Sequence, residues 1–175
     1  MKEIIAPASV DEIIAELTPE KMMRKTNKGG NEIYIVSWQD SPAVIREIGR
    51  LREVTFRDAG GGTGEELDLD AFDLSEVPYK QLIVWNPDAR EILGGYRFIY
   101  CPDAHKDEQG RIELATTELF DFSEKFCKEY IPYTLELGRS FVTPAYQSSK
   151  AGAKALFALD NLWDGLGALT VDNPK

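Results

Sequence analysis

Gln81-Leu-Ile-Val-Trp-Asn-Pro-Asp-Ala-Arg-Glu-Ile-Leu-Gly-Gly-Tyr-Arg-Phe-Ile-Tyr100 is the stretch that decides the fold. Gln81–Trp85 and Ile92–Tyr100 are apolar, strand-like runs, and Asn86-Pro-Asp88 between them is a turn signal. Strand, turn and strand make a hairpin, so the sheet is largely antiparallel and the chain is not a doubly wound parallel fold. Upstream, Asn31 to Trp38 reads as another strand, with Ile33 and Ile35 alternating with Tyr34 and Val36. Ser41-Pro42 then supplies an N-cap and first-turn pair. Val44, Ile45, Ile48, Leu51 and Thr55 follow at helical spacing toward an end at Gly60. Residues 9–25 read as a helix starting near Ser9 or Asp11 and broken at Pro19. Lys21 to Lys28 is basic, making 1–30 a helical and basic lead-in to a single domain over 1–175. Downstream, 117–130 reads as a helix carrying Phe120, Phe122, Phe126 and Tyr130, and Tyr133–Val142 as a strand. Ala151–Leu166 reads as a helix turning Ala155, Leu159, Leu162, Trp163 and Leu166 inward. The expected order is α-β-α-ββ-α-β-α, an α/β chain of the α+β kind.

Composition narrows the function. The chain has 175 residues, 43% hydrophobic and 29% charged, enough for one domain with a real core. A net charge of −10 and a pI near 4.7 argue against nucleic acid as a partner, since phosphates demand a basic footprint. The apolar runs are too short to span a bilayer, and the first residues lack the apolar core of a signal peptide. Cys101 and Cys127 form neither a metal nor a redox spacing, so the default compartment is a reducing cytoplasm. The lone histidine, His105, sits in a polar loop and gives no support to a Ser-His-Asp triad. No metal site is expected: Asp68, Asp70 and Asp73 do not follow the EF-hand spacing. Gly60-Gly-Gly-Thr-Gly64 lacks the Lys-Ser/Thr of a phosphate loop and precedes a run of acids, so it reads as a flexible loop.

The chemistry lies in three ordered motifs, Asp70-Ala-Phe-Asp73, Gly94-Gly-Tyr-Arg97 and Glu136-Leu-Gly-Arg139-Ser-Phe-Val142. The last places a carboxylate and a guanidinium in an apolar strand, where charges are costly unless paired or used. Glu47-Ile-Gly-Arg50 repeats the spacing and reads as a helix-surface pair. In a regular strand Glu136 and Arg139 point to opposite faces; a bulge at Gly138 would bring them together and free backbone N–H groups to polarise a carbonyl. Read alone, the same residues fit structural ion pairs, and Asp70 and Asp73 fit a solvated turn. Gln147-Ser-Ser-Lys-Ala-Gly-Ala-Lys154 follows a strand and opens a helix. Its lysines are either solvated or partners of an anion at the helix start.

Together these residues resemble the GNAT-fold N-acyltransferases of the ornithine-lipid and glycine-lipid synthase type, often labelled hemolysin-like and distantly similar to acyl-homoserine-lactone synthases. The resemblance runs from about Leu51 to Leu166, with Leu51-Arg-Glu-Val-Thr-Phe-Arg57 and Leu162-Trp-Asp-Gly-Leu166 as further anchors. It implies a mixed, mostly antiparallel sheet flanked by helices; the C-terminal strands of the full fold are expected to be missing after Lys175. It also implies transfer of a fatty acyl group from an acyl carrier protein or CoA thioester to the α-amine of an amino acid, glycine or ornithine-like, for lipid synthesis. On this resemblance Glu136, Arg139 and Arg97 are the catalytic candidates, with Glu136 the base and either arginine a clamp for the acceptor carboxylate. Asp70 and Asp73 face the amine, and backbone N–H groups near Phe141 and Val142 hold the thioester oxygen. Gln147, Ser149, Lys150, Gly152 and Lys154 receive the phosphopantetheine phosphate, although Lys150 stands where the family carries its first glycine. No permanently bound cofactor is implied. An acidic carrier protein would dock on Arg46, Arg50 and Arg57 or on Lys21–Lys28. The expected location is cytoplasmic, with at most a peripheral association at the inner membrane. Acetyl-CoA-dependent N-acetylation and a non-catalytic binding domain are the alternatives; no long amphipathic segment supports membrane lysis.

Overall fold

The computed structural model describes residues 1–147 and 152–172. Helix α1 (Val10–Glu16) leads through a single 3-10 turn at Pro19–Lys21 into β1 (Met22–Lys25), followed by β2 (Glu32–Val36) and the long helix α2 (Pro42–Asp58). A one-turn helix, α3 (Ala71–Leu74), precedes the hairpin of β3 (Lys80–Asn86) and β4 (Glu91–Tyr100). Then come α4 (Glu124–Glu129), β5 (Leu135–Val142) and α5 (Ala153–Asp172). The strands lie in the order β1-β2-β3-β4-β5, and each neighbouring pair is antiparallel. The antiparallel sheet flanked by helices thus follows from the hairpin.

Two helices cover the two faces. On one, Val44, Ile45, Ile48 and Leu51 of α2 pack against Tyr34, Val36, Ile83, Trp85 and Phe141. On the other, Ala158, Leu162 and Leu169 of α5 pack against Ile33, Leu82, Val84, Leu93, Tyr96 and Phe98. The alternation along β2 and β3 sends successive side chains to the two layers. A third cluster, with Tyr79, Ile99, Cys101, Leu114 and Ile131, closes one end of the sheet. The N-terminus of α2 is capped from outside: the Glu16 carboxylate accepts from the N–H groups of Ala43 (3.1 Å) and Val44 (2.9 Å). Ser41 occupies the N-cap but makes no capping bond with its side chain. An anion there also meets the positive end of the helix dipole.

Four local expectations are corrected. The helix over 9–25 ends at Glu16, because Pro19 removes a backbone donor and the chain beyond it extends along the free edge of β2 as β1. The helix over 117–130 is only a 3-10 turn at Ala115–Glu118 and the six residues of α4. Ser123 starts α4 by accepting from the Phe126 N–H (3.2 Å), so a cap-forming residue interrupts the apolar period. In α5 the buried stripe is Ala158, Asn161, Leu162 and Leu169, while Leu159 and Trp163 are mostly exposed. The helix is rotated so that Gly165 faces the sheet, where a Cβ would stand 2.8 Å from a Leu82 methyl. Leu166 is partly buried against the same layer, and the Ala155 side chain lies outside the described residues. Finally, Gly60–Gly64 is not a slack loop. It closes over Glu53, whose carboxylate accepts from Thr63 N–H (2.9 Å), Thr63 Oγ1 (2.7 Å) and Gly64 N–H (2.8 Å). Burial alone would raise this carboxyl, but the bonds from Thr63, Arg57 and Gly64 bring it down to about 2.

Gly94-Gly95 is explained by close approach. A Cβ on Gly94 would lie 2.5 Å from the Phe141 carbonyl oxygen, and one on Gly95 2.6 Å from that of Leu82. Both obstacles are backbone atoms of neighbouring strands and cannot yield cheaply. We expect Gly94→Ala to lower the unfolding free energy by about 2 kcal/mol or more, read from the urea midpoint. Gly167→Ala, in α5 with open space around it, should raise it by up to about 1 kcal/mol.

Candidate active site

On the α2 face, toward the β4–β5 edge, apolar packing gives way to a cluster of charges. Arg97 of β4, Gln81 of β3 and Glu136 of β5 are buried. Arg52 reaches them from α2 and is itself fully covered. Asp68 and Asp70 come from the loop after α2, and Asp73 from α3. The Asp70-x-x-Asp73 spacing is a reciprocal capping box. Asp70 Oδ1 accepts from the N–H groups of Phe72 (3.0 Å) and Asp73 (3.3 Å), and Asp73 Oδ2 accepts from the Asp70 N–H (3.2 Å). The acidic turn is therefore built into the interior rather than solvated.

Arg97 is the hub. Its Nη1 donates to both oxygens of Asp70 (2.7 and 2.8 Å) and to Asp73 Oδ2 (3.2 Å). Its guanidinium lies over the rings of Tyr79 (5.1 Å) and Phe72 (5.5 Å), which stand side by side with their centroids 5.4 Å apart. Arg52 completes the arrangement: Nη1 donates to both Asp73 oxygens at 3.2 Å and Nη2 to Gln81 Oε1 at 2.6 Å. Gln81 Nε2 closes the ring on Asp73 Oδ1 at 2.8 Å. Burial lowers the Arg52 pKa, with Asp73 opposing. Burial also pulls Arg97 down, but the bond to Asp70 and the charges of Asp73 and Asp70 more than reverse it, and its pKa is raised. Burial would raise Asp70; the bond and charge of Arg97 and the charge of Arg139 hold it below the ordinary range. Asp68 goes the other way, raised by burial in spite of Arg139 and Arg52, and its Oδ2 has no hydrogen-bond partner.

The bulge expected near Gly138 is present and is centred one residue later. Arg97 pairs with Gly138 and Gly95 with Phe141, so Arg139 and Ser140 stand opposite Tyr96 alone. Arg139 has φ 52, a left-handed conformation uncommon outside glycine, which supplies the kink. The bulge does not pair Glu136 with Arg139. Glu136 Oε2 accepts from the Tyr79 hydroxyl and Oε1 from the Thr116 N–H (2.8 Å). Arg139, with about a third of its side chain exposed, reaches Asp68 at 3.6 Å and Asp70 at 3.7 Å, too long for hydrogen bonds. Thus Arg97 is tightly held by carboxylates through Nη1, with its buried Nε unpartnered, while Arg139 is only loosely held.

Phe141 is buried under α2, and Val142 turns to the α5 layer. Gln147 folds back, its Nε2 donating to the Val142 carbonyl at 2.5 Å. Gly152 is exposed with φ 58. Ser149, Lys150 and the Lys154 side chain lie outside the described residues. The basic docking candidates are largely spent. Arg50 is paired with Glu47 (2.6 Å) and Arg57 with Glu53 (2.8 Å), and Lys21 donates to Glu16, Asp40 and Ser41. Arg46, Lys25 and Lys28 are exposed. The Glu47–Arg50 pair is real but not superficial: Glu47 is buried and also accepts from the Ala8 N–H. His105 pairs with Glu113 on the surface.

Sequence reasoning missed Asp68, Tyr79 and Gln81, and gave Arg52 no role. Two had a signal. Arg52 is four residues after Ile48 and three before Thr55, on the buried stripe of α2; Gln81 shares its strand face with Ile83 and Trp85.

Arg97→Met should cost about 3 kcal/mol of stability, since it removes the cation shared by half-buried Asp70 and buried Asp73 and leaves Asp73 only Arg52, whereas Arg139→Met should cost less than about 1 kcal/mol. Chemical denaturation at neutral pH distinguishes them. The depressed Asp70 pKa has a definite sign. The stability it contributes is present above the ordinary aspartate range and is lost as pH falls through the lowered value. The urea midpoint should therefore fall on acidification from about pH 7 to about pH 3, and less steeply in Asp70→Asn.

Residues 51–156 match the family model described as acetyltransferase (GNAT) domain, a span that holds the whole charge cluster. Over all 175 residues the chain is 62% identical to a glycine N(alpha)-acyltransferase of Phocaeicola vulgatus and 61% identical to one of Bacteroides thetaiotaomicron. It covers 54% and 52% of those proteins, so it spans about half their length. No solved structure matches. With more than half of its residues inside the family model and the antiparallel sheet in place, the chain belongs to the GNAT acetyltransferase-domain family.

Proposed function

We propose that the chain carries the acyl-transfer site of an N-acyltransferase that moves an acyl group from a thioester, on CoA or acyl carrier protein, to the α-amine of glycine. The observation that carries this reading is the β5 bulge. It sets a buried carboxylate, Glu136, and a loosely held guanidinium, Arg139, on either side of Gly138. The names of the two relatives support glycine as the acceptor.

The reaction needs a base, a carboxylate clamp and an electrophile. An amino acid reaches the site as an ammonium, so a proton must leave before nitrogen attacks the thioester carbonyl; Glu136, directly or through water, takes it. Arg139 binds the glycine carboxylate, because its contacts to Asp68 and Asp70 are long enough to be exchanged for a bidentate pair. Arg97 keeps its place as the structural hub, with Asp70 and Asp73 fixed by it and offering the amine a negative field. The C–N bond forms as the C–S bond breaks, and the thiol leaves with a proton. Backbone N–H groups beside the bulge, near Phe141 and Val142, stabilise the oxyanion. Gln147, Ser149, Lys150, Gly152 and Lys154 serve the donor's phosphopantetheine phosphate at the start of α5. The product, an N-acyl amino acid, belongs to lipid synthesis, and a cytoplasmic protein working beside the inner membrane suits it. Among the described residues no helix is long and apolar enough to cross a membrane.

The test is to incubate the protein, expressed from its complete reading frame, with palmitoyl-CoA or palmitoyl carrier protein and glycine, and to detect N-palmitoylglycine by mass spectrometry. Glu136→Gln should slow turnover about a hundredfold, and Arg139→Met should raise KM for glycine more than it lowers kcat. Absence of product from either donor overturns the proposal. Reaction with acetyl-CoA alone would assign the chain to the N-acetyltransferases instead.

A further inference from the structure

Tyr79 lies just before β3, in no charged motif, yet it is one of the most deeply buried large side chains. Its hydroxyl donates to Glu136 Oε2 and accepts from the Ala115 N–H at 3.0 Å. The next residue, Thr116, donates its N–H to the other Glu136 oxygen at 2.8 Å. Carboxylate, phenol and two successive backbone N–H groups thus form a closed circuit, and each carboxylate oxygen has one fixed donor. The ring is held edge-on against Phe72 (5.4 Å between centroids) and beneath the Arg97 guanidinium. We propose that Tyr79 is the positioning residue for Glu136: it fixes the carboxylate's rotamer, while Arg97 locks the ring in turn. The inference rests on the reading of Glu136 as the base.

Around Glu136 the other groups are Cys101, a buried thiol pushed up to about 11 by burial and by the Glu136 charge, and Arg97, which faces the Tyr79 ring. Neither donates to the carboxylate. Burial and the bond to Glu136 raise the Tyr79 hydroxyl well above its ordinary value, so the phenol stays a donor throughout the working range. Losing that donor leaves Glu136 Oε2 without its hydrogen bond and frees its rotamer.

The experiment compares Tyr79→Phe, Glu136→Gln and the double variant with the wild type, using palmitoyl-CoA and glycine across pH. Tyr79→Phe should lower kcat about tenfold with KM for glycine nearly unchanged. The double variant should be no slower than Glu136→Gln alone, because the phenol acts only through the carboxylate. An unchanged kcat in Tyr79→Phe, or additive losses in the double variant, overturns the inference; additive losses would show a structural role, which thermal unfolding of Tyr79→Phe would confirm. If Glu136→Gln turns over at the wild-type rate, the base assignment fails first and Tyr79 falls with it.

Discussion

The structure depends on one requirement: Arg97, on a central strand of the sheet, must never be without its carboxylates. A guanidinium buried under a helix costs far more than the apolar packing around it contributes, unless its charge is matched and its donors are used. Asp70 and Asp73 match the charge through Nη1, while the buried Nε has no hydrogen-bond partner, and much of the neighbouring architecture follows. The loop after α2 turns inward to bring the two acids over the sheet. The capping box of α3 holds them at a fixed separation, and Arg52 and Gln81 take up the acceptor capacity of Asp73 that Arg97 leaves open. Phe72 and Tyr79, in contact with each other, add cation–π contacts to Arg97. An arrangement of this kind adds little net stability over a hydrophobic core, but it admits very few alternative packings.

That rigidity leaves the less constrained charges for function. Arg139 stands at the rim on a kinked backbone, with partners beyond hydrogen-bond reach. Asp68 is sealed in with an oxygen that nothing donates to. The interior of the cluster is committed, and Arg139 at its rim is not. Glu136 belongs to a separate circuit, joined to the first through the Tyr79 ring.

Much of the scaffold was legible because it obeys simple periods. Gln81–Tyr100 is two strands and a turn, and its antiparallel pairing sets the sheet. Val44 to Thr55 is a helical stripe, and the bulge near Gly138 follows from the mismatch between strand alternation and the charges that need accommodation. What was not legible depended on distant parts of the chain. Arg52 lies on the buried stripe of α2, but Asp73, which neutralises it, is 21 positions away. Tyr79 lies in no charged motif, and Glu136 meets it across 57 positions. The strand Met22–Lys25 exists because β2 has an open edge, which the basic composition of the segment does not announce. The rotation of α5 was missed because Leu, Ala and Trp surround that helix and several stripes look equally apolar; Gly165, the closest approach, decides among them.

The extra residue in β5 also acts as a phase shift. Leu135 and Val142 are seven positions apart and would face opposite sides of a regular ribbon, yet both pack on the α5 layer, while Phe141 goes under α2. The strand thus serves one layer with one parity before Arg139 and with the other parity after it. Removing a single residue between Gly138 and Phe141 would leave Gly138 opposite Arg97, one residue opposite Tyr96 and Phe141 opposite Gly95, so the ladder would be regular and both side chains would keep their layers. Straightening the strand at its present length would instead exchange them, sending Phe141 toward α5 and Val142 toward α2. The kink at Arg139 is therefore what lets a strand with a surplus residue serve both layers.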